Sequence, residues 1–284
     1  MVGDMTIHAM LSGIKDRLRV AGIENPELDA RLLAQGILGV SREEIILKSN
    51  EIIHLPQQKD LDVAVQRRIS GEPVSRILGV RSFWKYNFKL SKETLDPRAD
   101  SETLIDAALK NVHPQPKHIL DLGTGTGCLL LSLLGEWPQA TGVGVDISAD
   151  AIATAKENAK VLGFSDRTEF ITGNWEETAF AHKFNVVISN PPYISEIEIE
   201  NLEPEVRIHD PRRALSGGGD GLDAYRSLSR LLPKILDSDG WIFLEIGSTQ
   251  ADAVKEMLEG AGFHVLKTVP DLAGNDRCLV ARFF

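Results

Sequence analysis

The chain has 284 residues, 43% of them hydrophobic and 25% charged, with a net charge of −10; this is the make-up of one large globular domain, or of one domain of typical size with a smaller companion. No apolar run approaches the roughly 20 residues that span a bilayer, and the first ten residues carry Asp4 and His8 in place of a basic head and an apolar core, so neither a membrane nor a secretory signal is expected. Residues 1–80 carry a net −1 and the remainder −9, an acidic surface that repels a phosphate backbone and argues against nucleic acid as the main partner.

Residues from about 5 to 70 read as helix only. Ile7, Met10, Leu11, Ile14 and Leu18 share one helical face. Asn25 before Pro26 is an N-cap with proline at the first helical position, and Leu28, Leu32, Leu33 and Ile37 form a second stripe. Ser41 and Glu44 have capping-box spacing and open a third short helix through Leu47. Pro56 begins a fourth, with Leu61, Val65 and Ile69 inward, closed by Gly71 and Pro73. Four short amphipathic helices predict a small bundle over residues 1–75. Packing is the expected role of each of its side chains; the bundle as a unit can still bind a partner. Residues 76–95 are expected to bridge to the next domain, the aromatic run 81–90 forming a short hairpin. Asp100 or Ser101 caps an apolar helix through Leu104, Ile105, Ala108 and Leu109, and Arg98 and Glu102 have the spacing of a surface pair.

From His118 the pattern changes. Strands are predicted at 118–122, 142–146, 168–172, 184–189, 241–246, 263–269 and 278–283. Helices are predicted at 128–134, 149–162, 222–236 (kinked at Pro233) and 250–260. Such alternation makes residues 96–284 a doubly wound α/β sheet, with ligands at the carboxyl ends of its strands. Gly217–Gly221 reads as a flexible loop. Cys128 and Cys278 read as small buried hydrophobes, too few for a disulfide framework or a closed zinc site, which fits a reducing, cytoplasmic setting without a metal.

Two stretches carry chemistry. The first predicted strand ends in Asp121 and runs through Gly123, Thr124, Gly125, Thr126 and Gly127 into a helix, a turn that lets the backbone approach a ligand closely. The next strand ends in Asp146, placed to accept both hydroxyls of a ribose. An adenosine-containing cofactor is implied; the glycines do not fit the dinucleotide fingerprint, and no phosphate-binding P-loop is present. Trp175 either covers the adenine or packs in the core. The second stretch, Asn190-Pro191-Pro192-Tyr193, follows the apolar strand 184–189. Two prolines end the strand and hold the chain extended. They leave an amide side chain, carbonyls without neighbouring N–H groups, and a ring: a grip for a flat polar group with N–H donors.

The turn led by Asp121 resembles the S-adenosylmethionine site of Rossmann-like class I methyltransferases. With Asn190–Tyr193 it resembles the methyltransferases of nitrogen conjugated to a planar system, and along nearly its whole length the chain is similar to the PrmC/HemK family, which methylates a glutamine side-chain amide, N5, in the Gly-Gly-Gln motif of bacterial peptide-chain release factors. The segments Gly71–Gly79, Pro97–Glu102, Glu205–Pro211 and Gly219–Gly221 carry that likeness. Ala99 stands where the family usually has proline and Asn174 where it often has Asp. The resemblance implies S-adenosylmethionine held by Gly123–Gly127, Asp146, Trp175 and Asn190; a glutamine amide held by Asn190, Pro191, Pro192 and Tyr193, with Tyr193 on the amide plane; catalysis by Asn190, Pro191 and Tyr193; and a monomer acting on a release factor docked by residues 1–75. An adenine N6 methyltransferase of nucleic acid and a non-catalytic adenosine-nucleotide-binding module are the rivals.

Overall fold

Helices α1 (Ile7–Val20), α2 (Pro26–Leu38), α3 (Arg42–Leu47), α4 (Leu55–Ile69) and α5 (Val74–Leu78) follow one another at the start of the computed structural model, which describes residues 5–283. A two-residue ribbon, β1 (Met5–Thr6) with β2 (Ile52–Ile53), joins the first helix to the fourth. Ile7, Ile14, Leu18, Leu33, Leu61 and Val65 form the core of this unit. The Ser41–Glu44 capping box is formed in both directions. Asn25 precedes α2 without a side-chain cap bond. Leu28 and Leu32, expected inward, are exposed, and Ala30 and Ala34 take their place against α1 and α4. The fifth helix was not expected: Gly71 and Pro73 end α4, but Pro73 then starts a new turn that Gly79 closes in the left-handed region.

The chain divides into two units at Gly79/Val80. The aromatic hairpin, β3 (Val80–Phe83) and β4 (Tyr86–Lys89), therefore belongs to the second unit and is no free bridge. Its inward residues Phe83 and Phe88 are buried in that unit's core, and the Asn158 side chain bonds both the N–H and the carbonyl of Lys89.

The second unit continues with α6 (Glu102–Asn111), β5 (His118–Leu122), α7 (Cys128–Glu136), β6 (Thr141–Asp146), α8 (Ala149–Leu162), β7 (Thr168–Thr172) and β8 (Phe184–Ser189). Three short helices follow, α9 (Glu196–Ile199), α10 (Pro204–His209) and α11 (Arg212–Leu215). The rest is α12 (Asp223–Ile235), β9 (Leu236–Glu245), α13 (Ala251–Gly260), β10 (His264–Pro270) and β11 (Asp276–Arg282). Seven strands form one sheet in the order β10-β11-β9-β8-β5-β6-β7. Strands β5 to β9 run parallel, and β11 is antiparallel to both its neighbours. Successive residues of each central strand face opposite ways: Ile119, Val186 and Ile188 pack under α6, α7 and α8, whereas Leu120, Leu122 and Val187 pack under α12 and α13. Burial on both faces is why these strands read as apolar runs without alternation. Helix α12 continues two residues beyond Pro233, close enough to its end that few backbone bonds are lost.

Candidate active site

The glycine turn, Asp146 and Asn190 end neighbouring strands β5, β6 and β8 and line one cavity of about 390 Å³, within the usual size range of small-molecule sites. The turn carries positive φ at its three glycines, +77°, +53° and +80°. Gly123 to Thr126 line the cavity; Gly127 does not. It starts α7, and a Cβ on it would lie 3.2 Å from Leu131. Gly127 is thus a glycine that packing requires, behind the stretch that lines the cavity. Gly123 lies between the Trp175 ring and the Asn190 carbonyl, 3.5 and 3.8 Å from where its Cβ would be. The missing side chain is what opens the cavity floor there.

Asp146 is fixed by its own backbone surroundings. One carboxylate oxygen accepts the Gly125 N–H and the other the Ser148 N–H, both at 2.9 Å. Each oxygen keeps a lone pair for a ligand hydroxyl. Burial lifts its carboxyl above the ordinary value, against the pull of these bonds. Asp121 lies behind the turn, fully buried, and accepts the Thr124 hydroxyl at 2.7 Å on one oxygen. Its other oxygen has no hydrogen-bond partner, and burial pushes its carboxyl up to about 7. Trp175 lines the cavity while packing on the second core, and its Nε1–H donates to Ser227 at 2.8 Å. It is thus packed against the core and exposed to the cavity at once. Asn174 also lines the cavity, its Oδ1 accepting from the Glu176 N–H.

Asn190 and Pro192 line the cavity; Pro191 is buried, and Tyr193 turns away. The Tyr193 hydroxyl donates to Glu245 Oε1 at 3.2 Å and accepts from Arg277 at 3.3 Å. These two bonds tie the ring's hydroxyl end to β9 and β11. The Asn190 side-chain Nδ2 donates to the Ser101 hydroxyl at 3.1 Å, and that hydroxyl in turn donates to Glu245 Oε2. Glu245 is 1% exposed, and burial pushes its carboxyl up to about 7, with Ser101, Arg277 and Tyr193 pulling the other way. Arg277 is held in turn by Asp271.

Gly217–Gly221 is not loose. Ile194 and Ser216 form a parallel bridge, Gly217 N–H donates to the Ile194 carbonyl and Glu196 N–H to the Gly218 carbonyl. A Cβ on Gly221 would lie 2.4 Å from the Tyr193 carbonyl, so only glycine allows this segment to pack on the motif. The Arg98–Glu102 pair is also not formed. Arg98 pairs with the buried Asp210, and Glu102 accepts the Trp84 N–H at 2.7 Å. Ser101, read in the sequence only as a helix cap, lines the cavity together with Ile147, Arg213 and Ser227, which were not singled out there. Only Ile147, next to Asp146, carried a local signal; the others arrive from elements remote in the chain.

A parallel sheet with one reversed strand near its edge, and a glycine turn at its central strand facing an acidic residue on the next, define a Rossmann-like class I methyltransferase. Family models match in the same sense: "PrmC N-terminal domain" over residues 9–79 and "Methyltransferase small domain" over 89–222. The release factor glutamine methyltransferase of Rhodospirillum rubrum is 45% identical over 94% of this chain and 82% of its own. That of Agrobacterium fabrum is 42% identical over 99% and 98%. The solved ribosomal protein L11 methylase of Lactobacillus delbrueckii subsp. bulgaricus, 18% identical, overlays 66% of this chain and 81% of its own with a TM-score of 0.49. The chain belongs to the release factor glutamine methyltransferase family.

Proposed function

We propose that this chain methylates the side-chain amide nitrogen of a glutamine in the Gly-Gly-Gln motif of a peptide-chain release factor, with Asn190 holding the amide. The carrying observation is that one cavity joins Gly123–Thr126, Asp146 and Asn190. The residues present suit the donor: the Gly123 floor leaves room for the methionine part, Asp146 offers two acceptors to a ribose, and Ile147 with Trp175 supplies apolar walls for an adenine. Bound there, S-adenosylmethionine supplies an electrophilic methyl group on a sulfonium.

The protein must make an amide nitrogen nucleophilic, although its lone pair is delocalised into the carbonyl. Asn190 Oδ1 and the Pro191 carbonyl accept the two amide N–H bonds. Pro192 has no N–H to compete beside that carbonyl. Two fixed acceptors aim the lone pair along one line and stabilise positive charge as it grows on nitrogen. Pro192 forms part of the wall. No general base is required, since the amide proton leaves readily once the nitrogen is alkylated. The first unit, with its own core and the solvent-facing Leu28 and Leu32, is the proposed docking body for the release factor. Among the described residues no helix is long and apolar enough to cross a membrane.

The test is Asn190→Ala with labelled S-adenosylmethionine, purified release factors and, in parallel, adenine-containing DNA. Methyl transfer to the release factor is expected in the wild type. The variant should keep cofactor affinity and lose turnover by about 10²–10³-fold, the scale of removing one preorganised partner of developing charge. Near-wild-type turnover refutes the role of Asn190; label on DNA and none on the release factor refutes the substrate.

A further inference from the structure

We infer that Ser101 and Glu245 are positioning residues that decide which atom of the Asn190 amide faces the cavity. The inference rests on the proposed role of Asn190 as acceptor. An amide carries one acceptor and one pair of donors at almost the same places, and rotating it by half a turn exchanges them with little steric consequence. In the cavity that exchange matters completely: an N–H pair facing the substrate amide would repel it.

The chain Glu245–Ser101–Asn190 removes the ambiguity. An ionised carboxylate only accepts. The single hydroxyl hydrogen of Ser101 therefore goes to Glu245 Oε2, and Ser101 can offer Asn190 only lone pairs. Asn190 must answer with Nδ2, 3.1 Å away, so Oδ1 takes the opposite side. The three groups come from different places: Ser101 precedes α6, Asn190 follows β8, and Glu245 ends β9, which pairs with β8 in register Ser189–Leu244. Ser101 and Glu245 are 2% and 1% exposed, which keeps water from supplying the hydrogen instead. The remaining Glu245 oxygen accepts from Tyr193, and Arg277, paired with Asp271 and near Asp100, faces the cluster from β11. The thiols of Cys128 and Cys278 and the hydroxyl of Tyr225, which donates to the Glu245 carbonyl at 2.8 Å, are further titratable groups close by, all held protonated chiefly by burial.

Protonating Glu245 reverses the direction. A neutral carboxyl can donate to Ser101, which then donates to Asn190 and turns Nδ2 towards the substrate. Burial has already brought the Glu245 carboxyl up to about 7, so the reversal falls within an accessible pH range, with the ionised form active.

The experiment uses the full chain, labelled S-adenosylmethionine and purified release factor. It reads kcat, KM and the pH profile from 5.5 to 9, with cofactor affinity measured by calorimetry. Ser101→Ala and the isosteric Glu245→Gln should each lower kcat by about tenfold or more, the cost of one misdirected hydrogen bond. Cofactor affinity should stay within about threefold, and the acid limb expected near pH 7 in the wild type should be gone. Ser101→Thr, whose extra methyl can face the cavity, should restore kcat and the acid limb. If Ser101→Ala does not fold, Glu245→Gln against Ser101→Thr carries the same contrast. An inactive Asn190→Ala beside a Ser101→Ala or Glu245→Gln of near-wild-type kcat overturns the positioning role and leaves the acceptor role standing. An active Asn190→Ala removes both. Parallel loss of cofactor affinity in Ser101→Ala and Glu245→Gln also overturns the inference, by showing a merely structural role.

Discussion

Asp121→Asn should make this protein more stable at pH 8 and leave that advantage behind at pH 4–5. Asp121 is 0% exposed, has one hydrogen-bonded oxygen and one without a partner, and its carboxyl is pushed up from 3.8 to about 7, chiefly by burial. Between those values the folded chain holds a proton that the unfolded chain has lost. The contribution of Asp121 to stability is therefore fully present below about pH 4 and lost as pH rises to about 7. A displacement of about three pK units corresponds to about 4 kcal/mol. The amide removes that penalty but places an N–H where the unpartnered oxygen was, which returns about 1–2 kcal/mol. The net gain at pH 8 is about 2–3 kcal/mol, or roughly 5–10 °C in melting temperature for a unit of this size. Melting both proteins at pH 5 and pH 8 checks it, and other carboxylates cancel in the difference between them. Equal melting at pH 8, or a difference that does not change with pH, would refute burial as the dominant influence on Asp121.

The same charge predicts that S-adenosylmethionine binds more tightly as pH rises from 6 to 8, by about three- to tenfold, because a cationic ligand favours the ionised form of Asp121, whose carboxyl burial lifts to about 7. Calorimetry in buffers of different ionisation enthalpy should show proton release, and a flat affinity would contradict it. Asp146→Asn should weaken the cofactor about tenfold with kcat less affected, measured by titration and initial rates. Gly221→Ala should destabilise by about 1–3 kcal/mol in chemical denaturation and reduce turnover, since its Cβ meets the Tyr193 carbonyl at a φ of +78°; unchanged stability would mean that the segment yields. A chain of residues 80–284, which has its own core, should bind S-adenosylmethionine within about threefold of the full chain but lose affinity for the release factor. Equal affinity for the release factor would remove the docking role of the first unit.

The central strands were legible because burial on both faces writes itself as apolar runs: β5, β7 and β8 begin and end where the residues suggested. Strand β9 starts five residues earlier than expected, at Leu236. Pairing with Phe184 extends it through polar Asp237–Asp239, across a register shift and a positive φ at Asp239, which no hydrophobic period reveals. Helices α9 to α11 are too short for a period of 3.6 to show, although the Ser195–Glu198 capping box was there to be read. In the site, contiguous motifs were visible and long-range partners were not. Ser101 looked like a helix cap, but its hydroxyl goes to a carboxylate 144 positions away. Tyr193 was visible as part of the motif, but the buried carboxylate and the guanidinium that hold its hydroxyl come from strands 52 and 84 positions further on.

The bridge between Ile194 and Ser216 has a consequence for how such enzymes diversify. It staples the base of an excursion that carries α9, α10 and α11, so the motif on one side and the glycine segment on the other are held to each other directly, while Asp210 and Arg213 tie the end of the excursion to Arg98 and to the cavity. Doubling the length of a flexible loop costs only about 0.6 kcal/mol once its ends are held. The part of the lip that carries α9 and the start of α10 can therefore gain or lose residues, and with them the contour it offers, without moving Asn190 or the glycine segment.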